Sequence, residues 1–176
     1  MEQDSLARIK HIMNWGAIAG IALIGSSMLG ALMPNNNLFK LLSWVVLGLS
    51  IYVGVQKLRD QQQNGYISFS DAAFTALQIS FFASILLGFF MYVYLKYIDA
   101  SAIDKILVQQ EQLLLQKDMP TVDITSNMRI MKRIVSAELI GVGAIIAFTF
   151  IGGIMGLLVA AFVKRESDSF DDFVGK

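Results

Sequence analysis

The chain has no cysteine, which excludes disulfides, thiolate metal sites and thiol catalysis but leaves the compartment open. Its one histidine, His11, cannot build a histidine-rich metal centre. Charge is scarce as well. Asp, Glu, Lys and Arg make up 16% of the 176 residues, against roughly 25% in an ordinary soluble domain. The 14 basic and 14 acidic residues cancel, so no global field draws the chain toward nucleic acid or anionic lipid. What is abundant is apolar: 55% of the residues are hydrophobic. A soluble fold of this size would expose much of that surface, whereas a bilayer covers it. The length fits one domain, 1–176.

Four apolar runs follow one another. The first, Ile12 to Met33, has 22 residues, about 33 Å as a helix and enough to cross a hydrocarbon core about 30 Å thick. Arg8 and Lys10 precede it, as in a signal peptide, but it exceeds the usual h-region and further spans follow, so it reads as a retained helix. Pro34 and Asn35 to Asn37 break it. The second run, 38–55, returns antiparallel and ends in Gln56, Lys57, Arg59, Asp60 and three glutamines. The third, 74–97, closes with Tyr92, Tyr94, Lys96 and Tyr97, the rings and snorkelling amine that an interface selects. The fourth, 139–163, is closed by Lys164 and Arg165. The expected fold is therefore all-α, a polytopic bundle of four transmembrane helices with a helical extramembrane segment, about 98–138, between the third and fourth.

Between the third and fourth runs, residues 98–138 differ in character. Ile103, Ile106, Leu107, Leu113 and Leu114 recur at near-helical spacing with a polar opposite face. Met119–Pro120 interrupts the pattern. A second segment, with Met128, Met131 and Val135 along one side, is expected to start at a Ser126 cap and run straight into the fourth span. Two readings compete: a helical hairpin packing on itself or on the membrane surface, and a docking platform for a partner. The tail, 166–176, is acidic and aperiodic, as a fraying terminus is.

Between the second and third runs stands NGYISFSDAAF, 64–74. Gly65 can supply a positive φ, and Ser68 precedes Asp71 by three residues, as in a capping box. The Asp71 carboxylate would then lie in the first turn, where the helix dipole favours negative charge. A helix end cannot stand free in hydrocarbon, so this stretch marks a membrane-edge turn and a helix start. A ligand gripped by Ser68, Ser70 and Asp71 at that helix end is the competing functional reading.

GYISFSDAAFTALQIS also resembles the central signature of the family called domain of unknown function 4199, small bacterial membrane proteins with a G-x-I-S-F motif entering a span. The whole chain is similar to that family in length, in the two closely spaced helices before the motif, and in the long loop before a glycine-rich last helix. The loop here is less acidic than the family pattern. The resemblance brings no catalytic residues. It implies a candidate partner, a membrane glycosyltransferase using a polyprenyl-phosphate carrier.

Ionisable groups inside spans are the default functional candidates, and none lies in the middle of a run. Gln78 is the most polar side chain well inside one, suited to a helix–helix hydrogen bond or to a substrate contact. No nucleophile–base pair, phosphate loop or metal-ligand spacing is present, so no cofactor and no metal are expected. Small residues do recur at four-residue spacing. Gly16 and Gly20 form one pair, with Ser26 and Gly30 beyond it, and Gly152 and Gly156 form another. Such pairs let backbones approach closely, within one bundle or between subunits.

The expected function is that of a non-enzymatic accessory or scaffold subunit. It would contact the lipid bilayer and another membrane protein or itself, with no nucleic acid. A small transporter or channel-like protein is the alternative. The expected location is the bacterial inner membrane. With both termini cytoplasmic, Arg8, Lys10, Lys57, Arg59, Lys164, Arg165 and Lys176 fall inside, seven against seven for Lys40, Lys96, Lys105, Lys117, Arg129, Lys132 and Arg133. The first helix breaks the tie, having two basic residues before it and only Lys40 beyond.

Overall fold

The computed structural model describes residues 2–32, 37–116 and 121–165. The turn expected at Pro34, the break at Met119–Pro120 and the tail lie outside the described residues. Six α-helices are present among those described: α1 (Glu2–Leu32), α2 (Asn37–Gln62), α3 (Phe69–Val93), α4 (Ser101–Leu115), α5 (Thr121–Ile134) and α6 (Ala137–Val163). A π-helical turn, Tyr94–Ile98, prolongs α3. Four segments are long and apolar enough to span a membrane: Ser5–Gly30, Leu41–Gln62, Phe69–Ile98 and Ala137–Val163. The fold is all-α and polytopic.

The helices outrun the apolar cores read from the sequence. α2 continues through Lys57, Arg59 and Asp60 to Gln62. A charge at the interface does not stop a helix when its stem can lie on apolar surface. Lys57 does so, its ammonium 5.1 Å from the centre of the Trp15 ring. The stop comes from Asn64 and Gly65, both at positive φ (53° and 85°), where Gly is unstrained and Asn tolerated.

The chain divides into two compact units. One holds α1, α2, α3 as far as Leu86, and α6 from Ala147; the other runs from Leu87 to Ile146. In the first unit Leu23, Leu47, Ile51, Val55, Ile79, Ala76 and Ala83 form the core. α3 is the packing platform. A Cβ on Gly16 of α1 would sit 2.5 Å from the Cβ of Phe82, and one on Gly20 2.8 Å from Leu86 Cδ1. On α6, Gly152 lies tightly against Ser80, and a Cβ on Gly156 would reach the Cβ of Ala76 at 2.7 Å. Both glycine pairs thus bring a helix onto α3. Lipid supplies no hydrophobic drive between helices, so van der Waals contact at this range and hydrogen bonds hold them. Two such bonds run Ser84 Oγ to Thr149 Oγ1 (2.7 Å) and Ser26 Oγ to Ser43 Oγ (2.9 Å).

In the second unit α4 and α5 pack against each other, with Ile124 and Met128 of α5 buried. Two expectations are corrected here. Ser126 does not start the second helix: α5 begins at Thr121, with Asp123 in its first turn, where a carboxylate favours the dipole. Nor does α5 run into α6. It ends at Ile134, and Ser136 caps α6, its Oγ accepting the Leu139 amide at 3.3 Å.

The outward side chains of the spans supply a direct test. Ile21, Leu49, Phe81 and Phe150 are exposed on the protein and should be shielded from water within the bilayer. Single cysteines there should resist a water-soluble maleimide in intact membranes and react once the protein is in denaturant, while one at Gln61 reacts readily. Labelling at any of the four as fast as at Gln61 would remove that span.

Candidate functional site

At one end of the first unit, the start of α1, the α2–α3 turn and the end of α6 meet. Ile67 and Arg165 exchange two backbone hydrogen bonds, 2.9 and 3.0 Å, as an isolated antiparallel bridge. The Arg59 guanidinium donates to the carbonyl of Val163 at 3.0 Å. Ser68, just before α3, accepts the Asp71 amide on its Oγ at 3.2 Å, which caps the helix.

The Asp71 side chain does not turn back to close a capping box. Its carboxylate accepts one hydrogen bond from the Arg8 guanidinium and another from Gln63 Nε2 at 2.5 Å. The same Arg8 nitrogen also donates to Thr75 Oγ1 at 3.0 Å, one turn further along α3, and Thr75 is fully buried. Three elements are thereby tied: α1 through Arg8, the end of α2 through Gln63, and α3 through Asp71 and Thr75. Gln63 Oε1 is buried without a partner. Beside the cluster opens a cavity of about 550 Å³, lined by Ser5, Ala7, Arg8, Leu58 and Gln61 to Gln63.

Below this end, His11 Nε2 lies 2.8 Å from the Gly54 carbonyl oxygen. A carbonyl only accepts, so Nε2 carries the proton and donates. The ring is thereby used to fix α1 on α2. An arginine and an aspartate paired to each other, with an amide and a hydroxyl as further partners, make a tether; nothing in the cluster presents a nucleophile to a base.

The second unit has its own polar cluster. Lys96, in the π-helical turn, donates to Glu138 Oε1 at 2.7 Å and lies 5.0 Å from the centre of the Tyr92 ring, which meets Tyr97 edge-on. Gln78 has its Oε1 buried without a partner, in the first unit.

Of the residues singled out from sequence, Gly65, Ser68 and Asp71 are brought together at the turn, and Gly16, Gly20, Gly152 and Gly156 on α3. On α4 the stripe is largely taken up internally: Ile103, Ile106, Leu107 and Leu114 are half-buried, and Leu113 is exposed. Sequence reasoning missed two features. One is the Arg8–Asp71 tether, which joins residues 63 apart and has no local signal. The other is a glycine pair in the second unit, Gly88 of α3 against Gly141 of α6.

Helix count, span length and a polar tether at the bundle end define an integral membrane protein of the four-span, all-α class. The chain belongs to the family described as "Protein of unknown function (DUF4199)", whose model matches residues 14–165. No curated protein and no solved structure matches the chain.

Proposed function

We propose that this protein is a non-enzymatic accessory subunit that holds another integral membrane protein. One observation carries the reading. A lipid-facing groove of about 460 Å³ lies between α3 and α6 of the first unit, lined by Ser70, Ala73, Phe74 and Leu77 on one side and Phe150, Gly153, Ile154 and Leu157 on the other. Each wall runs over eight residues, about two helical turns or 10 Å. Ala73 and Gly153 keep part of the groove shallow-walled, so a helix backbone can come close, which is how helices associate in lipid. The occupant is a transmembrane helix of a different protein. The family resemblance adds a candidate, a glycosyltransferase that uses a polyprenyl-phosphate carrier. α4 contributes little, since Leu113 alone of its stripe stands open.

The bundle end that gathers Arg8, Lys10, Lys57, Arg59, Lys164 and Arg165 faces the cytoplasm of a bacterial inner membrane in this reading, consistent with the positive-inside rule applied to the first helix. The seven-to-seven tie of basic residues makes that helix decide.

A photo-crosslinking residue in place of Leu157, in native membranes, should capture one distinct polypeptide. Gly153→Leu should fill the groove and abolish the capture while the spans stay folded. Capture of lipid only, or of a second copy of this chain only, would sink the proposal. So would purified protein in liposomes that moves a solute or modifies a lipid.

A further inference from the structure

α5 has a composition that neither the tether nor the groove explains. Ile124 and Met128 face α4 and are buried, but Ile130 and Ile134, one turn apart, are 58% and 53% exposed. Around them stand Arg129, Lys132 and Arg133, all exposed, and no ion pair holds any of the three among the described residues. Although the chain as a whole is neutral, this helix end carries three clustered cations beside bare apolar side chains. That combination suits the plane where lipid headgroups meet hydrocarbon.

Chain connectivity puts it near that plane. α6 begins at Ala137, four residues after Arg133 and five after Lys132. Even a fully extended chain advances at most about 3.6 Å per residue, so both cations lie within roughly 18 Å of the start of the span. The headgroup layer is itself on the order of 5–8 Å deep on each side of the hydrocarbon, and arginine and lysine side chains reach several ångströms further.

Between α4 and α5 runs a groove of about 430 Å³. Leu115, Ile124 and Met128 supply its apolar lining, Arg129 and Lys132 its cations, Thr125 a hydroxyl and Glu111 its single acid. An apolar trough with two cations over it is complementary to an amphiphile with an anionic head.

We propose that α5 lies in the membrane interface and that this groove takes an anionic phospholipid of the bilayer. Its phosphate pairs with Arg129 and Lys132, with Arg133 adding field, and part of an acyl chain lies along Leu115, Ile124 and Met128. Ile130 and Ile134 insert beside it. The proposal is independent of the partner groove on the other unit.

The test uses the full chain released from nanodiscs of phosphatidylcholine, with or without phosphatidylglycerol, and native mass spectrometry to count retained lipids. Wild-type protein should prefer phosphatidylglycerol. A basic residue near an anionic surface is worth about five-fold in binding, so Arg129→Gln with Lys132→Gln should lower the preference by more than about ten-fold. Glu111→Gln should raise it, a gain that misfolding cannot produce. Inorganic phosphate at the same concentration as the lipid should not compete. Equal preference in the double variant, no rise in Glu111→Gln, or competition by phosphate alone would each overturn the assignment. A photo-crosslinker at Ile130 should label lipid; a polypeptide adduct in its place would show an acidic partner instead and overturn it as well.

Discussion

Gly88→Val is expected to cost the protein about 3 kcal/mol, the upper end of what overpacking a well-filled contact does. A Cβ at Gly88 would lie 2.6 Å from the Gly141 carbonyl oxygen and closer still to the Ile145 side chain. The converse is as tight: a Cβ at Gly141 would sit 2.8 Å from the Gly88 carbonyl oxygen. Backbone meets backbone here, so no side-chain rotation makes room, and α3 and α6 must separate within the second unit. Separation then forfeits dispersion contacts along both helices, which in lipid nothing replaces by hydrophobic gain. Gly88→Ala should lose roughly half as much. Gly143→Ala is the control, since nothing lies within 4 Å of its added Cβ; it should stay within about 0.5 kcal/mol of wild type. Unfolding in mixed micelles of mild detergent and dodecyl sulfate measures all three. A Gly88→Val protein as stable as Gly143→Ala would refute the contact.

The glycines show which parts of the fold can be read from a sequence. Gly16/Gly20 and Gly152/Gly156 stand out because four-residue spacing puts both on one helix face, and the structure seats each pair on α3. Gly88 and Gly141 do not. Close approach needs only one glycine on each helix, and a lone glycine in a span carries no periodic signal. The spans themselves were legible because each must supply about 20 apolar residues to hydrocarbon, a constraint written along the chain. Positive φ at Gly65 and the Ser68 cap were legible for the same reason, being local. Local signals also mislead where several compete. Ser126 has the look of a cap, but Asp123 and Thr121 lie upstream and the helix takes the earlier start. Ser136, the cap that does form, ends the continuity expected between the helix of Met128, Met131 and Val135 and the fourth span. The tether of Arg8, Gln63, Asp71 and Thr75 lay beyond any such reading. Each of its residues looks like an ordinary interfacial polar group until the bundle brings them together.

Asp71→Ala should accordingly lower stability by about 2 kcal/mol. Removing one partner of a buried ion pair costs about 3–5 kcal/mol, because the other charge is left unpaired, whereas exposed pairs are worth 0.2–1 kcal/mol. This pair lies between those limits, with the Arg8 and Asp71 side chains 32% and 29% exposed. Asp71→Ala strands the Arg8 guanidinium and the Gln63 amide at once, although Thr75 still offers Arg8 one acceptor. Arg8→Met should cost somewhat less, since water reaches the carboxylate and Gln63 still donates to it. The double variant should be no worse than Asp71→Ala alone, which gives a coupling of about 1–2 kcal/mol in the double-mutant cycle. A structural tether predicts a further signature. In Asp71→Ala the start of α1 should exchange its amides faster, while Gly141 and the rest of the second unit exchange as before. Additive single effects would mean that Arg8 and Asp71 do not act as a pair. Uniform loss of protection in both units would mean that the substitution unfolds the bundle instead of releasing one end of it.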